Sequence, residues 1–110
     1  MFIHLYVNIE KCKQMDKTKQ MEEAAYLLKA IANSTRLCVI QLLSKKEELC
    51  VSELKEELDC EQSLLSHHLT DMRAKGILNC RREGKNCYYS LKNIKVAQII
   101  KCVFSCQYEN

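Results

Sequence analysis

The sequence contains no proline or tryptophan and only two glycines among its 110 residues. Proline and glycine are the residues that most strongly interrupt helices. Their scarcity favours a single, mostly helical domain whose helices end at polar caps. No uninterrupted apolar run approaches the about 20 residues that a membrane-spanning helix needs. The opening M-F-I-H-L-Y-V-N-I lacks the positive leading region of a signal peptide. We therefore expect a cytoplasmic protein that does not bind membranes.

The eight cysteines include no C-x-x-C pair, which excludes zinc-ribbon and thioredoxin-type sites. In a cytoplasmic chain, thiols are more often reduced side chains, metal ligands or redox sensors than parts of a disulfide framework. Each cysteine is therefore assessed by its position.

The stretch 59–91 is the most informative part of the chain. Leu65, His68, Leu69 and Met72 recur at helical spacing and predict one buried stripe. The opposite face is small, polar and weakly charged, which suits base edges and phosphate oxygens in a DNA major groove; a solvated polar helix is the alternative. The residues of this predicted DNA-binding face are Gln62, Ser63, Ser66, His67, Thr70 and Arg73. Lys75 and Gly76 then favour a helix end.

After Gly76 the apolar period changes to two, which predicts a β-hairpin that turns at Gly84-Lys85. Arg81, Arg82 and Lys85 lie near its tip, where long cations suit a phosphate backbone or a minor groove. Residues 62–92 hold six Lys and Arg against two acids, whereas residues 1–61 hold nine against eleven. The small overall charge of +3 therefore conceals one basic region.

The rest of the chain predicts a flexible N-terminal arm or extension over 1–20 and a folded domain over 21–110. Four further helices are expected at 21–32, 34–43, 53–58 and 93–108, with Ser34 and Ser52 as caps and with Leu37, Ile40, Leu42 and Leu43 as the core stripe of the second. Arg36, on the polar side of that helix, suits either DNA backbone or solvent. The helix at 53–58 and the helix built on Leu65 form a helix-turn-helix with its turn at 59–61. The apolar surplus of the first helix suits a dimer interface as well as a core.

Four segments, in this order, resemble the ArsR/SmtB family of winged-helix repressors: A-N-S-T-R-L-C-V-I-Q-L-L, E-L-C-V-S-E-L, Q-S-L-L-S-H-H-L-x-x-M-R-x-K-G-I-L and R-R-E-G-K-N-C-Y-Y-S-L. The resemblance covers about residues 21–107. It implies a mainly α winged helix-turn-helix with about five helices and a small β-hairpin wing. It also implies a homodimer that binds double-stranded operator DNA and releases it when an inducer binds cysteine or histidine sites.

The resemblance places the inducer site on thiols. In relatives that sense soft metals, the position of Cys50 begins a C-V-C motif completed by an N-terminal arm; here Ser52 replaces the second cysteine, and Cys12 is the arm's candidate. Cys102 and Cys106, four residues apart on the last helix, offer four sulfurs across a dimer axis, enough for a soft metal. Inert packing thiols are the alternative for both groups.

Thiol-based sensors in the family instead pair a cysteine of the second helix with one of the last, which here indicates Cys38 with Cys102 or Cys106. Their helix-two cysteine lies nearer Gln41. Cys80 and Cys87 fall in the hairpin, where the two-residue turn places them opposite Tyr89 and Arg82, so no disulfide is expected between them.

We therefore predict a repressor that is not an enzyme and requires no cofactor, with a soft metal or metalloid ion such as arsenite or cadmium as its inducer. A persulfide or oxidant switch, a winged-helix protein without an inducer site, and a protein–protein adaptor are the alternatives. A thiol enzyme is disfavoured because His67 and His68 belong to the DNA helix.

Overall fold

The computed structural model describes residues 14–108, with side chains over 16–105, and it confirms a mainly α fold with a small β-sheet. Within that range the helices are α1 (Gln14–Ile31), α2 (Ser34–Lys45), α3 (Val51–Glu57), α4 (Gln62–Ala74) and α5 (Ile94–Tyr108). The strands are β1 (Leu49–Cys50), β2 (Leu78–Glu83) and β3 (Asn86–Leu91). They form one antiparallel sheet in the order β1-β3-β2. The predicted helix-turn-helix is formed by α3 and α4, and the wing by β2 and β3.

The helix ends differ from those expected. The side chain of Asn33, rather than Ser34, caps α2, since its Oδ1 accepts the backbone N–H groups of Thr35 at 2.9 Å and Arg36 at 3.2 Å. At α3 the cap position belongs to Cys50 rather than Ser52, and the Glu53 carboxylate accepts the Cys50 backbone N–H at 2.9 Å.

The first helix is longer than the pattern indicated. It begins at Gln14 rather than at 21, so residues 14–20 belong to α1. Residues 1–13 and 109–110 lie outside the described part of the chain. The polar run at the start of α1 has no apolar stripe of its own, which explains why hydrophobic periodicity indicated a later start.

The core lies between the helices and the inner face of the sheet. The whole predicted stripe of α4, Leu65, His68, Leu69 and Met72, is buried. In α2 the buried residues are Val39, Ile40 and Leu43, while Leu37 and Leu42 pack at the edge of the cluster. The predicted stripe of α2 was therefore correct at Ile40 and Leu43 and missed Val39.

The wing has the register that the two-residue turn predicted. Cys80 pairs with Tyr89, and Arg82 pairs with Cys87. Gly84 opens the turn with a φ of 63°, a left-handed value that glycine adopts without strain and that a two-residue hairpin of this kind requires.

The same wing corrects our expectation about its cysteines, because Cys80 and Cys87 form a disulfide. Both side chains point to the core face of the sheet at diagonal positions, and their Cα atoms are 6.0 Å apart, within the range that a disulfide bridges. Diagonal neighbours on a twisted two-stranded ribbon approach closely enough for such contacts. Direct opposition was therefore too strict a criterion.

Several large apolar side chains lie exposed on the two terminal helices. Met21 of α1 and Ile94 of α5 are 64% and 66% exposed, and Tyr26, Leu28 and Val103 are also open to solvent. Together these residues define the α1/α5 apolar surface. Over residues 14–108, none of the helices has the length and hydropathy needed to cross a membrane.

Candidate nucleic-acid interface

The outer face of α4 carries all six predicted DNA-binding side chains of this helix. Five of them are exposed and Ser66 is half-buried. The hydroxyl of Thr70 donates to the Ser66 carbonyl at 2.8 Å, and that of Ser63 donates to the Glu61 carboxylate. Gln62, His67 and Arg73 extend into solvent on the same side of the helix. The face therefore presents an amide, an imidazole and a guanidinium, three groups that match base edges and phosphates.

Arg36 anchors this helix from α2. Its Nε donates to Nδ1 of His68 at 2.9 Å, while its Nη1 donates to the Ala30 carbonyl at 2.9 Å and to Asp71 Oδ2 at 2.8 Å. Only 12% of its side-chain surface is accessible. Arg36 of α2 therefore connects α1 and α4 through largely buried hydrogen bonds. It is neither a solvated surface cation nor placed to contact a DNA backbone.

The surroundings of His68 favour its neutral form. Burial lowers the pKa of the His68 imidazole, and the positive charge of Arg36 and the neighbouring His67 lower it further. A neutral ring can accept a hydrogen bond at Nδ1, which is what Arg36 requires. Asp71 has a pKa below its usual value, chiefly because it accepts a hydrogen bond from Lys75 at 2.8 Å and also one from Arg36.

The wing presents its cations unequally. Arg81 is held by Glu48, with Nη2 2.6 Å from Oε1 and Nε 3.3 Å from Oε2. Its guanidinium also lies 4.9 Å from the centre of the Tyr88 ring and 3.6 Å from a Glu83 oxygen. The hydrogen bond from Arg81 is the main reason that the pKa of Glu48 is lowered. The same hydrogen bond is the main reason that the pKa of Arg81 is raised. Arg82 and Lys85 are exposed, so the DNA-free wing offers these two cations directly.

Sequence reasoning missed the Glu48 contact and the Arg36 cluster. Glu48 is 33 residues from Arg81, and Arg36 is 32 residues from His68. Only the pairing of β1 with β3, or the packing of α2 on α4, brings these groups together. His68 carried the one local signal, since it was the single titratable residue in an otherwise apolar stripe.

The predicted inducer residues are scattered in the described part of the chain. Cys50 is buried at the end of β1, with its Sγ 3.1 Å from the Ser52 hydroxyl. Cys38 and Cys102 are free and exposed on α2 and α5. Cys12 and the side chain of Cys106 lie outside what the structure describes. Among described residues, no three His, Cys, Asp or Glu side chains converge as a metal site. The assignment of the inducer to these thiols thus remains a prediction.

An open groove of about 680 Å³ lies between α2 and α5. Gln41, Lys45, Ile100, Lys101 and Phe104 are among its lining residues. Gln41, the position nearest the helix-two cysteine of thiol-sensing relatives, faces this space, whereas Cys38 and Cys102 do not line it.

A short helix, a second helix with a polar outer face, and a basic hairpin directly after it define a winged helix-turn-helix DNA-binding protein. Comparison with known proteins agrees. The family model described as "Bacterial regulatory protein, arsR family" matches residues 33–79, from the cap of α2 to the start of the wing.

The transcriptional activator HlyU of Vibrio cholerae is 39% identical over 83 residues, which cover 76% of this chain and 76% of HlyU. A cadmium resistance transcriptional regulatory protein of Staphylococcus aureus, a CadC homolog, is 34% identical over 97 residues, 88% of this chain and 79% of the homolog. The crystal structure of the transcriptional repressor BigR from Xylella fastidiosa superposes with a TM-score of 0.75 at 31% identity, and covers 84% of this chain and 94% of BigR.

The chain therefore belongs to the arsR family of bacterial regulatory proteins. It is a DNA-binding transcriptional repressor of the ArsR type, and the relatives that it matches are named as regulators of transcription.

Proposed function

We propose that this repressor acts in the cytoplasm as a homodimer, binds an approximately palindromic operator through α4 and the wing, and is released by an inducer acting on cysteine thiols. The observation that carries the DNA-binding part is the division of α4 into two faces. Its apolar stripe is entirely buried, so the outer face with Gln62 and His67 is free to enter a major groove. The exposed Arg82 and Lys85 of the wing lie next along the chain.

The α1/α5 apolar surface supports the dimer. Side chains such as Met21 and Ile94, exposed on the terminal helices, favour burial against a second copy because apolar area withdrawn from water is stabilising. In a symmetric dimer, each copy would present its own α4 to one half-site. Half-sites about one helical turn, roughly 34–36 Å, apart would then match the dimer.

The direct test is binding to the DNA upstream of the protein's own gene, measured by fluorescence anisotropy against a scrambled duplex of equal length. We expect Gln62→Ala and His67→Ala to reduce the preference for the operator, because these side chains read base edges. Lys85→Ala should weaken both duplexes alike and lower the salt dependence by about one phosphate contact. Lys101→Ala, which removes a cation from α5, is the matched control.

Two results would contradict the proposal. One is equal binding of the wild-type protein to the operator and the scrambled duplex at moderate ionic strength. The other is a loss in the α4 variants that is the same for both duplexes, since that would make α4 a backbone contact rather than a sequence reader.

For the inducer we propose a soft metal or metalloid ion such as cadmium or arsenite, held by Cys50 or by Cys102 and Cys106. The cadmium resistance named for the Staphylococcus aureus relative supports a soft ion. An inducer that prefers the DNA-free state would lower operator affinity by about 5- to 150-fold, the usual range of coupling between two sites.

A DNA-release assay on the reduced protein decides among inducers. It compares arsenite, cadmium, zinc, copper(I) and a persulfide donor, with Cys50→Ser and Cys102→Ser/Cys106→Ser as variants. Release by a metal that is lost in one variant supports the proposal and locates the site. Release by the persulfide donor alone would favour the dithiol switch of Cys38 with Cys102 or Cys106.

A further inference from the structure

The disulfide between Cys80 and Cys87 lies at the base of the wing tip. It closes a ring over residues 80–87 that contains Arg81, Arg82 and Lys85, the three cations predicted to contact DNA. Both cysteines are half-buried and pack against the core from the inner face of the sheet. Neither belongs to the thiols assigned to the inducer.

The sheet gives this bond a mechanical role. In the sheet formed by residues 14–108, with the order β1-β3-β2, strand β2 lies at the edge and pairs with β3. Strand β1 pairs with β3 at Tyr88 and Tyr89. The part of the hairpin nearer the turn is therefore a two-stranded ribbon without support from β1. Isolated two-stranded hairpins are marginally stable in water. The Cys80–Cys87 bond is placed where that unsupported ribbon begins.

We propose that Cys80 and Cys87 are a reversible redox site that sets the affinity of the wing for DNA, with the oxidised form binding more tightly. This inference rests on the proposed DNA-binding function. In the oxidised form the link fixes the two strands behind the cations. In the reduced form, the ladder hydrogen bonds, the Gly84-Lys85 turn and the Arg81–Glu48 ion pair hold the tip without a covalent link, and DNA binding must order it further.

The oxidant is a low-molecular-weight disulfide, and the reaction is thiol–disulfide exchange. The thiolate of one cysteine attacks a sulfur of the small disulfide, forms a mixed disulfide and releases one small thiolate. The second cysteine thiolate then attacks the protein sulfur of the mixed disulfide and releases the other small thiolate. Two protein thiols are oxidised to one disulfide, and the small disulfide is reduced to two thiols, which take up the two protons. Small thiols in excess reverse the reaction. Because the cytoplasm normally keeps thiols reduced, such a bond reports an oxidising change.

The expected change in affinity is moderate. Ordering one flexible side chain at an interface reduces affinity by roughly 2- to 10-fold, and the reduced tip has two or three long side chains whose ordering is shared with DNA contacts. We expect the oxidised protein to bind the operator about 3- to 10-fold more tightly than the reduced protein. Slower dissociation should account for most of the difference, as is usual among variants of one interface.

The first experiment detects the bond without DNA. The full chain is equilibrated in mixtures of oxidised and reduced dithiothreitol, its remaining thiols are blocked, and it is digested with trypsin. Cleavage after Lys75, Arg81, Arg82, Lys85 and Lys92 separates residues 76–81 from residues 86–92. The oxidised protein should give these two peptides joined, and the reduced protein should give them apart. The redox site is refuted if the joined pair never forms, or if it forms only at protein concentrations at which other cysteines also pair at random. This conclusion does not depend on whether the protein binds DNA.

The second experiment couples the bond to function. Operator affinity is measured in the fully reduced and fully oxidised states for the wild-type chain, for Cys80→Ser/Cys87→Ser and for Cys38→Ser, which removes an exposed thiol from α2. We expect the oxidation effect in the wild type and in Cys38→Ser and its loss in the double variant. An effect that persists in the double variant, or a wild type that is indifferent to oxidation, overturns the coupling. Absence of duplex binding in both states would overturn the proposed function as well, while the peptide result would still stand.

Discussion

Replacement of Arg36 by methionine tests whether the internal cluster positions α4. Methionine keeps most of the side-chain length and fits an apolar environment, but it removes every donor. The Nδ1 atom of His68 and the carbonyl of Ala30 then lose the donor that each has 2.9 Å away. Asp71 retains its ion pair with Lys75 at 2.8 Å and is 27% exposed. Losing Arg36 therefore costs Asp71 less stabilisation than it costs the other two acceptors.

The magnitude follows from these three partners. A buried acceptor left without a donor costs about 1–3 kcal/mol. The two acceptors that lose their donor are His68 Nδ1 and the Ala30 carbonyl, and water at the edge of the cluster offsets part of the cost. Asp71 adds little because it keeps Lys75, so we expect a destabilisation of about 2–4 kcal/mol. Against a total stability of about 5–15 kcal/mol, this is a large loss.

The assay is urea denaturation at one fixed protein concentration, followed by circular dichroism, with the slope of the free energy against urea checked for constancy. Arg73→Met, which removes an exposed guanidinium from the same region of α4, is the control and should change stability by no more than about 0.5 kcal/mol. Arg36→Met/His68→Leu should lose less than the sum of the two single variants, because both partners of the hydrogen bond are then gone. A loss below about 1 kcal/mol for Arg36→Met, or strict additivity in the double variant, would refute the reasoning.

Three further predictions concern neighbouring features. The folded-state pKa of His68 lies below its ordinary value of 6.5, so the unfolded chain binds more protons in the window beneath 6.5. The free energy of unfolding should therefore fall as the pH is lowered through that window. His68→Gln should weaken this pH dependence, whereas His67→Gln should retain it. Equal pH profiles for the wild type and His68→Gln would contradict the prediction. Glu48→Gln releases Arg81 from its partner and should strengthen DNA binding by about 2- to 5-fold with a steeper salt dependence, whereas unchanged binding would mean that the ion pair persists on DNA or is unimportant. Gly76→Ala meets no neighbouring atom within 4 Å but must adopt a φ of 80°, so we expect a loss of about 1 kcal/mol in urea denaturation, and a neutral result would show that the chain relaxes there.

The features that sequence predicted well depend on local periodicity. The buried stripe of α4 repeats every three to four residues, and the register of the wing follows from a two-residue turn with glycine at its first position. Both patterns are complete within a short segment, so no knowledge of the rest of the fold was needed. Where periodicity was weak, as in the polar first turns of α1, the boundary was misplaced.

The features that sequence missed depend on tertiary contacts. Arg36 appeared to be a surface cation because the helix that it meets is 32 residues away, and Arg81 appeared free because its partner Glu48 is 33 residues away. Cys80 and Cys87 are close in sequence, but their contact depends on the twist that brings diagonal positions together, which residue pairing alone does not contain.

Helix α4 and the wing, the two elements proposed to contact DNA, are thus anchored by different means. Arg36 of α2 holds α4 through His68 and Asp71 and also donates to the Ala30 carbonyl of α1, so we expect the proposed sequence-reading face to move only if this largely buried cluster is broken. The wing tip is an edge ribbon stabilised by its ladder, by the Arg81–Glu48 pair near β1 and by the Cys80–Cys87 disulfide. If α4 sets the preference among sequences, as proposed, we expect a signal that acts on the wing to change affinity for all DNA and to leave that preference unchanged. Measured on operator and scrambled duplexes in parallel, oxidation of Cys80 and Cys87 should shift both binding curves by the same factor, whereas Arg36→Met should bring the two curves together.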